Sequence, residues 1–228
     1  MSVAATPHEP EGIVPEALLA LERDWLPEAQ GAAANGRALW IAPRGTAGSL
    51  ATANVLESGA GELGGCLRCL PAALPFGDDS LPRIVLQHAL DEQVELLPLL
   101  GECARVLRPG GELVVFGIEP ISAWHPWLRA RARRAGRRLR PRLSARLGAL
   151  LGRLGLDAVA CQRLGTRWPA LRPEAAPVAA GGPLRAVYAL SARKSSAIVI
   201  PLRQRPLALR AAAQEGLVPA RRELAGAA

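Results

Sequence analysis

Two predicted strands, Arg83–Gln87 with the apolar centre Ile84-Val85-Leu86 and the apolar run Leu113–Gly117, constrain the fold of this chain most strongly. Consecutive apolar residues are typical of strands that are covered on both faces of a parallel sheet. Between the two runs, apolar residues recur at helical spacing from Asp91 to Leu107, and Arg108–Gly111 ends that helix with a proline and two glycines. A strand, a helix and a strand within about 35 residues form one right-handed crossover unit. We therefore expect two neighbouring strands that point the same way.

Further elements are predicted on both sides of this unit. Residues 15–26 place leucine and tryptophan at helical spacing, and residues 38–42 form an apolar run that predicts a buried first strand. A turn at 43–48 and a weak helix at 49–56 follow. Leucines predict a helix at 143–154, and two late strands are predicted at 156–164 and 184–192. The fold class that we expect is α/β, a Rossmann-like three-layer sandwich with a mostly parallel sheet, a reduced first half and an antiparallel late strand.

With 228 residues, the chain has the length of one domain. We assign 1–14 to a loose N-terminus, 15–202 to the domain and 203–228 to a basic disordered tail without a periodic apolar face. The first residues lack the cationic start and apolar core of a signal peptide, and no apolar run has the length of a transmembrane helix. We therefore expect a cytoplasmic protein that keeps its four cysteines as thiols.

Residues 74–90 and 103–115 carry a recognisable family pattern. Leu74-Pro75-Phe76 and the strand after it resemble the fourth-strand region of class I S-adenosylmethionine-dependent methyltransferases. Residues 103–115 resemble the next helix, its Pro-Gly-Gly end and the fifth strand of that family, in register. Residues 117–122 and 186–194 resemble a divergent bacterial subgroup. The resemblance covers residues 35–203 and implies S-adenosylmethionine as cofactor and transfer of its methyl group to an unknown acceptor.

The turn after the first strand departs from the family pattern. In the family, this strand ends in an acidic residue and a glycine-rich turn, whose backbone N–H groups approach the cofactor closely. Here Ile41 stands in place of the acid, Pro43 and Ala47 replace two glycines, and only Gly45 remains. The acid that receives the adenine amine in the family falls at Leu70. We therefore expect a degenerate cofactor cradle.

The stretch between Ala42 and Leu81 is also short for this family. At about 11 residues per helix and about 5 per strand, two strands and two or three helices do not fit there. We infer that the second strand, whose terminal acid holds the ribose hydroxyls in the family, is missing or vestigial. Glu57 and Glu62 fall in a glycine-rich stretch, so we expect no acid at a strand end to replace it.

The resemblance implies that Gly45, Thr46, Leu74 and His88 line the cofactor site. His88 follows the fourth strand, where ligands meet a parallel sheet, and is the best candidate for the catalytic general base. The alternative is a histidine that merely caps the strand. Cys66 and Cys69 have zinc-ribbon spacing but no second pair, so we predict no metal site.

The arginine-rich segment Arg129–Arg142 is the densest charge in a chain of net charge +8. Such a segment binds an anionic partner, either nucleic acid or a membrane surface, or it remains a solvated helix face. Two functions therefore stay open. One is an S-adenosylmethionine-dependent methyltransferase, and the other is a catalytically inactive scaffold that binds a protein or nucleic-acid partner through this segment.

Overall fold

The computed structural model describes residues 12–26, 38–43, 55–58, 62–65, 67–92, 95–169 and 184–195. All of them belong to the first of the two units into which the chain divides, Met1–Ala197 and Ile198–Ala228. The predicted tail at 203–228, most of the segment 1–14, and the turn with Gly45 and Thr46 lie outside the described residues.

The described residues form a single sheet of seven strands in the order β3-β2-β1-β4-β5-β7-β6. β1, β2, β4 and β5 are parallel to one another, whereas β3 and β7 run antiparallel to their neighbours. Val85 lies opposite Val114 in the parallel pair of β4 and β5, as the crossover unit predicts. The mostly parallel sheet with antiparallel late strands is thus confirmed. The strand bounds are β1 Ala38–Pro43, β2 Val55–Ser58, β3 Leu63–Gly65, β4 Leu81–Gln87, β5 Leu107–Ile118, β6 Leu156–Leu164 and β7 Val187–Lys194.

Helices cover both faces of the sheet. The helix bounds are α1 Glu16–Trp25, α2 Leu97–Val106, α3 Trp124–Arg134 and α4 Ser144–Arg153. The helices α1 and α3 pack on one face against a core that includes Val85, whereas α2 and α4 pack on the other against a core that includes Ile84 and Leu86. Successive strand side chains point to opposite faces, and these three are fully buried, which explains the uninterrupted apolar run. The three-layer sandwich is confirmed.

The first half of the sheet corrects two expectations. A second strand is present: Val55–Ser58 pairs in parallel with β1, with Ser58 opposite Pro43. The prediction that this strand is missing or vestigial was therefore wrong. The helix predicted over 49–56 was wrong at 55–56, which belong to the strand, and its residues 49–54 lie outside the described part of the chain. The next strand, Leu63–Gly65, pairs antiparallel with β2. Because β3 is antiparallel to β2, the two strands need no crossover helix between them, and a third strand fits into few residues.

The helix predicted from Asp91 begins six positions later. Asp91 lies in a turn after β4, where its N–H donates to the His88 carbonyl over 3.1 Å. The helix α2 begins at Leu97 with Pro98 in its first turn. A proline suits a first turn because its missing N–H would have no partner within the helix there. The turn thereby places the Asp91 side chain beside His88.

Candidate functional site

Buried polar side chains gather at the edge of the sheet where the parallel strands end. Glu22 on α1, Gln87 at the end of β4, and His88 and Asp91 in the turn after it are all at most 3% exposed. We call these four residues the buried polar cluster. The carboxyl ends of parallel strands are where ligands bind in open α/β sheets. The buried polar cluster therefore lies at the edge of the sheet where a ligand is expected.

His88 is held between two carboxylates. Its Nε2 lies 2.8 Å from Oε1 of Glu22, and its Nδ1 lies 2.7 Å from Oδ2 of Asp91. The backbone of His88 is left-handed, with φ of 51°, and its N–H donates to the Phe116 carbonyl of β5 over 3.0 Å. This conformation is uncommon for a residue other than glycine. The interactions thus fix both the ring and the backbone of His88.

The remaining members complete the hydrogen bonding of the cluster. The Gln87 amide group donates to Oε2 of Glu22 over 2.8 Å and to the Leu19 carbonyl over 3.2 Å, and its oxygen accepts from Trp40 Nε1 over 3.2 Å. Oδ2 of Asp91 also accepts the backbone N–H of Ile118 over 3.1 Å. The cluster therefore connects α1 to the ends of β4 and β5.

The two carboxylates determine the charge of His88. Burial alone would lower the pKa of His88, but the attraction of Glu22 and hydrogen bonds to Asp91 and Glu22 outweigh it and raise that pKa to about 10. Burial also raises the pKa of the Asp91 carboxyl group, against the opposing effect of its hydrogen bond to His88. At neutral pH, His88 is an imidazolium that donates both N–H groups.

This geometry bears on the predicted role of His88 as general base. A general base needs a neutral ring with a free nitrogen lone pair within reach of the substrate. In the structure, both ring nitrogens are engaged and the side chain is 2% exposed. The arrangement is instead suited to fixing the position of α1 and of the turn after β4.

Sequence reasoning missed Glu22, Gln87 and Asp91 as members of this cluster. A signal for Glu22 was present, since it shares the apolar face of α1 with Leu18 and Leu19. A carboxylate on the buried face of a helix needs a polar partner inside the protein, because an unpaired buried charge is very costly. That signal indicates a buried cation or donor but not which residue supplies it.

A second group of polar residues surrounds the end of β2. Glu57 is the penultimate residue of this strand and is partly buried. It lines a cavity of about 490 Å³ together with Glu62, Gly64, Gly65 and Arg68. The expectation that no acid stands at a strand end was therefore wrong. The apolar pair Val55-Leu56 before Glu57 was the only local signal, and it fits a helix as well as a strand.

The hairpin wall of this cavity requires glycine. Gly65 has φ of 125°, and a Cβ added there would lie 2.7 Å from the Val55 carbonyl oxygen. A Cβ added at Gly64 would meet no atom within 4 Å. The backbone of β3 thus approaches β2 closely, while the wall leaves open space beside Gly64.

Leu74 and Leu70 differ in their surroundings. The side chain of Leu74 is buried in the core that α2 covers. Its N–H donates to Oε2 of Glu102 over 2.8 Å, and its carbonyl accepts from Nη2 of Arg105 over 3.2 Å. Leu70 is 56% exposed and supplies no carboxylate at the position of the adenine-binding acid. Of the four predicted site residues, only Leu74 and His88 belong to the described part of the chain.

The arginine-rich segment divides into bound and exposed side chains. Arg131 lies 5.8 Å from the ring centroid of Trp127 and donates to the Gly12 carbonyl over 3.1 Å. Arg137 forms two hydrogen bonds to Glu92, of 2.8 and 2.6 Å. Four arginines in α3 and the loop after it are exposed and form no ion pair with a described residue: Arg129, Arg133, Arg134 and Arg138.

The described part of the chain contains neither a metal-binding group of side chains nor a membrane-spanning helix. No group of three or more His, Cys, Asp or Glu side chains there is arranged to hold a metal ion. Cys66 lies outside that part, and no disulfide joins Cys69, Cys103 and Cys161 to one another. None of the described helices combines the length and the apolar character needed to cross a membrane.

Comparisons with known proteins agree with the fold. Residues 45–115 match the family model described as a methyltransferase domain. A SAM-dependent methyltransferase from Thermotoga maritima is 15% identical with a TM-score of 0.54, over 79% of this chain and 98% of that one. Another from Archaeoglobus fulgidus is 14% identical with a TM-score of 0.53, over 78% of this chain and 94% of that one. No curated protein matches the chain in sequence. The resemblance to a methyltransferase domain is thus confirmed for residues 45–115.

Proposed function

We propose that the chain is an S-adenosylmethionine-dependent methyltransferase whose Glu57 holds the ribose of the cofactor. The observation that carries this proposal is a carboxylate at the end of β2, beside a cavity and next to β1. In the family that the sequence resembles, the acid at the end of the second strand accepts hydrogen bonds from the ribose hydroxyls. Glu57 supplies the same group at the same place in the sheet.

The residues around Glu57 fit the ribose part of the cofactor. Ser58 lies opposite Pro43, so the end of β2 adjoins the end of β1, and Gly45 and Thr46 follow Pro43 in the sequence. The cavity of about 490 Å³ falls within the range of small-molecule pockets, about 300–1,000 Å³. The open space beside Gly64 leaves room for a ligand next to the carboxylate. Gly45 and Thr46 remain predicted contacts on the β1 side.

The cofactor, when bound, supplies an electrophilic methyl group, and the chain supplies positioning. Transfer of a methyl group depends mainly on in-line alignment and on the exclusion of water. We propose that His88 is a positioning residue, which holds α1 against the end of β4 through Glu22. The general-base role remains a prediction that requires one carboxylate to release a ring nitrogen. The cytoplasmic location likewise remains a prediction.

Calorimetric titration of the full chain with S-adenosylmethionine and S-adenosylhomocysteine tests this proposal. We expect dissociation constants in the micromolar range for the wild type. We expect binding about tenfold weaker or more for Glu57→Gln, because a hydrogen bond to a charged group contributes about 1.5–3 kcal/mol. Glu112→Gln, on β5 and paired with Arg83, is the matched control and should leave binding unchanged. Absence of heat at millimolar ligand in the wild type would reject the cofactor, and equal affinity of Glu57→Gln would reject the assigned residue.

A second function, a scaffold that binds nucleic acid, is favoured by the exposed arginines of the α3 region. Residues such as Arg133 and Arg134 form no ion pair with the described residues and are free to contact phosphate. Fluorescence anisotropy with labelled duplex DNA or RNA should then show affinity that falls steeply with salt. Arg133→Gln/Arg134→Gln should weaken binding, while the control pair Arg108→Gln/Arg167→Gln should not. Salt-independent affinity, or equal loss in both variants, would contradict this function.

A further inference from the structure

A cavity of about 540 Å³ lies along α4, away from Glu57. One side is formed by α4, and Leu96 and Pro120 contribute aliphatic surface from the residues that precede α2 and follow β5. Three arginines also line it: Arg142, Arg146 and Arg153. We call it the arginine cavity. Its volume is typical of sites that hold a small organic molecule, about 300–1,000 Å³.

The sequence of α4 explains how aliphatic and basic groups come to share one wall. Leu143, Arg146, Leu150 and Arg153 recur at intervals of three and four residues, so they lie along one stripe of the helix. Leu147 and Leu151 face the sheet and are buried in its core. The stripe therefore presents leucine side chains between guanidinium groups, next to the packed face of the helix.

The charged side chains that the described residues contribute to the cavity have one sign. Among these residues, the lining contains three guanidinium groups and no carboxylate. Within the described part of the chain, Arg146 and Arg153 form no ion pair, and both are exposed. Like charges close together repel one another and attract an anion. Guanidinium groups bind phosphate and carboxylate through paired hydrogen bonds, which gives them a geometric preference for these groups.

The position of the cavity relates it to the edge of the sheet where the parallel strands end. Pro120 follows Ile118, the last residue of β5, by two positions. The loop before Pro141 is attached to the turn after β4, because the N–H of Arg140 donates to the Asp91 carbonyl over 2.6 Å. The buried polar cluster thus also fixes the loop that brings Arg142 into the cavity wall.

We infer that the arginine cavity binds an organic anion, in which a phosphate or carboxylate group is attached to a compact apolar body. The guanidinium groups take the anionic group, and the leucine and proline side chains take the apolar body. A cation is excluded by charge, and a fully polar anion leaves the aliphatic wall without a partner. The binding needs neither S-adenosylmethionine nor methyl transfer, so it stands apart from the function proposed above.

Calorimetric titrations of the full chain at about 0.15 M salt test the inference with four probes: 1-naphthyl phosphate, 1-naphthoate, 1-naphthol and inorganic phosphate. We expect one of the two naphthyl anions to bind at least about tenfold more tightly than 1-naphthol and inorganic phosphate. Tighter binding of 1-naphthyl phosphate identifies a phosphate ligand, and tighter binding of 1-naphthoate identifies a carboxylate. If neither naphthyl anion binds at a concentration of about 5 mM, the inference is overturned.

Matched variants distinguish the cavity from general surface charge. Arg146→Gln/Arg153→Gln removes two exposed charges from the cavity and should weaken binding of the preferred anion by about tenfold or more. Arg108→Gln/Arg167→Gln removes the same charge elsewhere and should leave binding within about twofold. Leu150→Gln should weaken the naphthyl anion but not inorganic phosphate. Equal losses in both arginine pairs, or unchanged binding in Arg146→Gln/Arg153→Gln, overturn the inference.

Discussion

Replacing Glu22 with glutamine perturbs the buried polar cluster at one charge while keeping the size of the side chain. Glu22 lies 2.8 Å from Nε2 of His88, and its attraction is the largest of the effects that raise the pKa of His88. Removal of one partner of a buried ion pair costs about 3–5 kcal/mol, because the other charge loses its compensation. We therefore expect Glu22→Gln to lower the free energy of unfolding by about that amount at pH 6–7.

The dependence on pH follows from the direction of the shift. The pKa of His88 is about 10 in the folded state and 6.5 in a model peptide, so the folded state retains a proton that the unfolded chain releases above pH 6.5. The stabilisation is complete below pH 6.5, falls by up to about 1.4 kcal/mol per pH unit, and is lost above pH 10. The raised pKa of Asp91 acts in the same direction from pH 3.8 upward. The stability of the wild type should fall as pH rises.

Urea unfolding followed by tryptophan fluorescence at pH 6.5, 7.5, 8.5 and about 9.5 measures both effects. The difference in unfolding free energy between wild type and Glu22→Gln should be largest at pH 6.5 and should shrink toward pH 10. Glu16→Gln on the same helix is the control, because Glu16 is 60% exposed and its pair with Arg23 contributes about 0–1 kcal/mol. A difference between Glu22→Gln and wild type that stays constant with pH, or that is near zero, would refute the reasoning.

The charge of His88 can also be measured in the wild type, which is needed if Glu22→Gln does not fold. Proton NMR should show one histidine ring that stays protonated through pH 8, and His88→Asn should remove that signal. Asparagine is suited to the left-handed backbone at this position, so the substitution acts mainly through the side chain. Titration of the His88 ring below pH 7 would contradict the assigned charge.

Two further outcomes follow from packing and burial. Gly117→Ala should destabilise the fold by about 1–3 kcal/mol, because its Cβ would lie 2.5 Å from Cζ of Tyr188. Gly101→Ala in α2 meets no atom within 4 Å and should stabilise the fold by up to about 1 kcal/mol. Urea unfolding measures both effects, and equal effects would contradict the contact between residue 117 and Tyr188. Cys103 is fully buried, and burial raises its pKa to about 12. At pH 8, iodoacetamide should therefore modify the exposed Cys161 in the folded protein and should modify Cys103 only in urea. Peptide mass spectrometry measures the modification of each cysteine. Modification of Cys103 at the rate of Cys161 without urea would contradict its burial.

The centre of the sheet was predictable because its signals are local. Residues 84–86 and 113–116 are apolar at every position, and a strand buried on both faces is the simplest structure that uses such a run. The second strand has only Val55 and Leu56 as apolar residues, and two residues do not distinguish a strand from a helix. The pairing of these residues with β1, a contact that the local sequence pattern does not contain, decides between strand and helix.

The candidate site was less predictable because its members meet only in the folded chain. Glu22 and His88 are 66 positions apart, and nothing near either residue identifies the other. Asp91 was assigned to a helix because the apolar spacing after it is helical. Its side chain instead accepts hydrogen bonds from His88 and from the N–H of Ile118, and these contacts hold it in the preceding turn.

The cost of the buried polar cluster indicates what it does. Burial of charged groups carries a large desolvation penalty, and well-packed apolar side chains of similar volume often stabilise a fold equally well. Stability alone therefore does not account for an imidazolium between two carboxylates. Directional hydrogen bonds do what apolar packing does not, because they fix one orientation of α1 relative to the ends of β4 and β5. In the proposed methyltransferase function, that fixed orientation would supply the rigid wall that alignment of a methyl group with its acceptor requires.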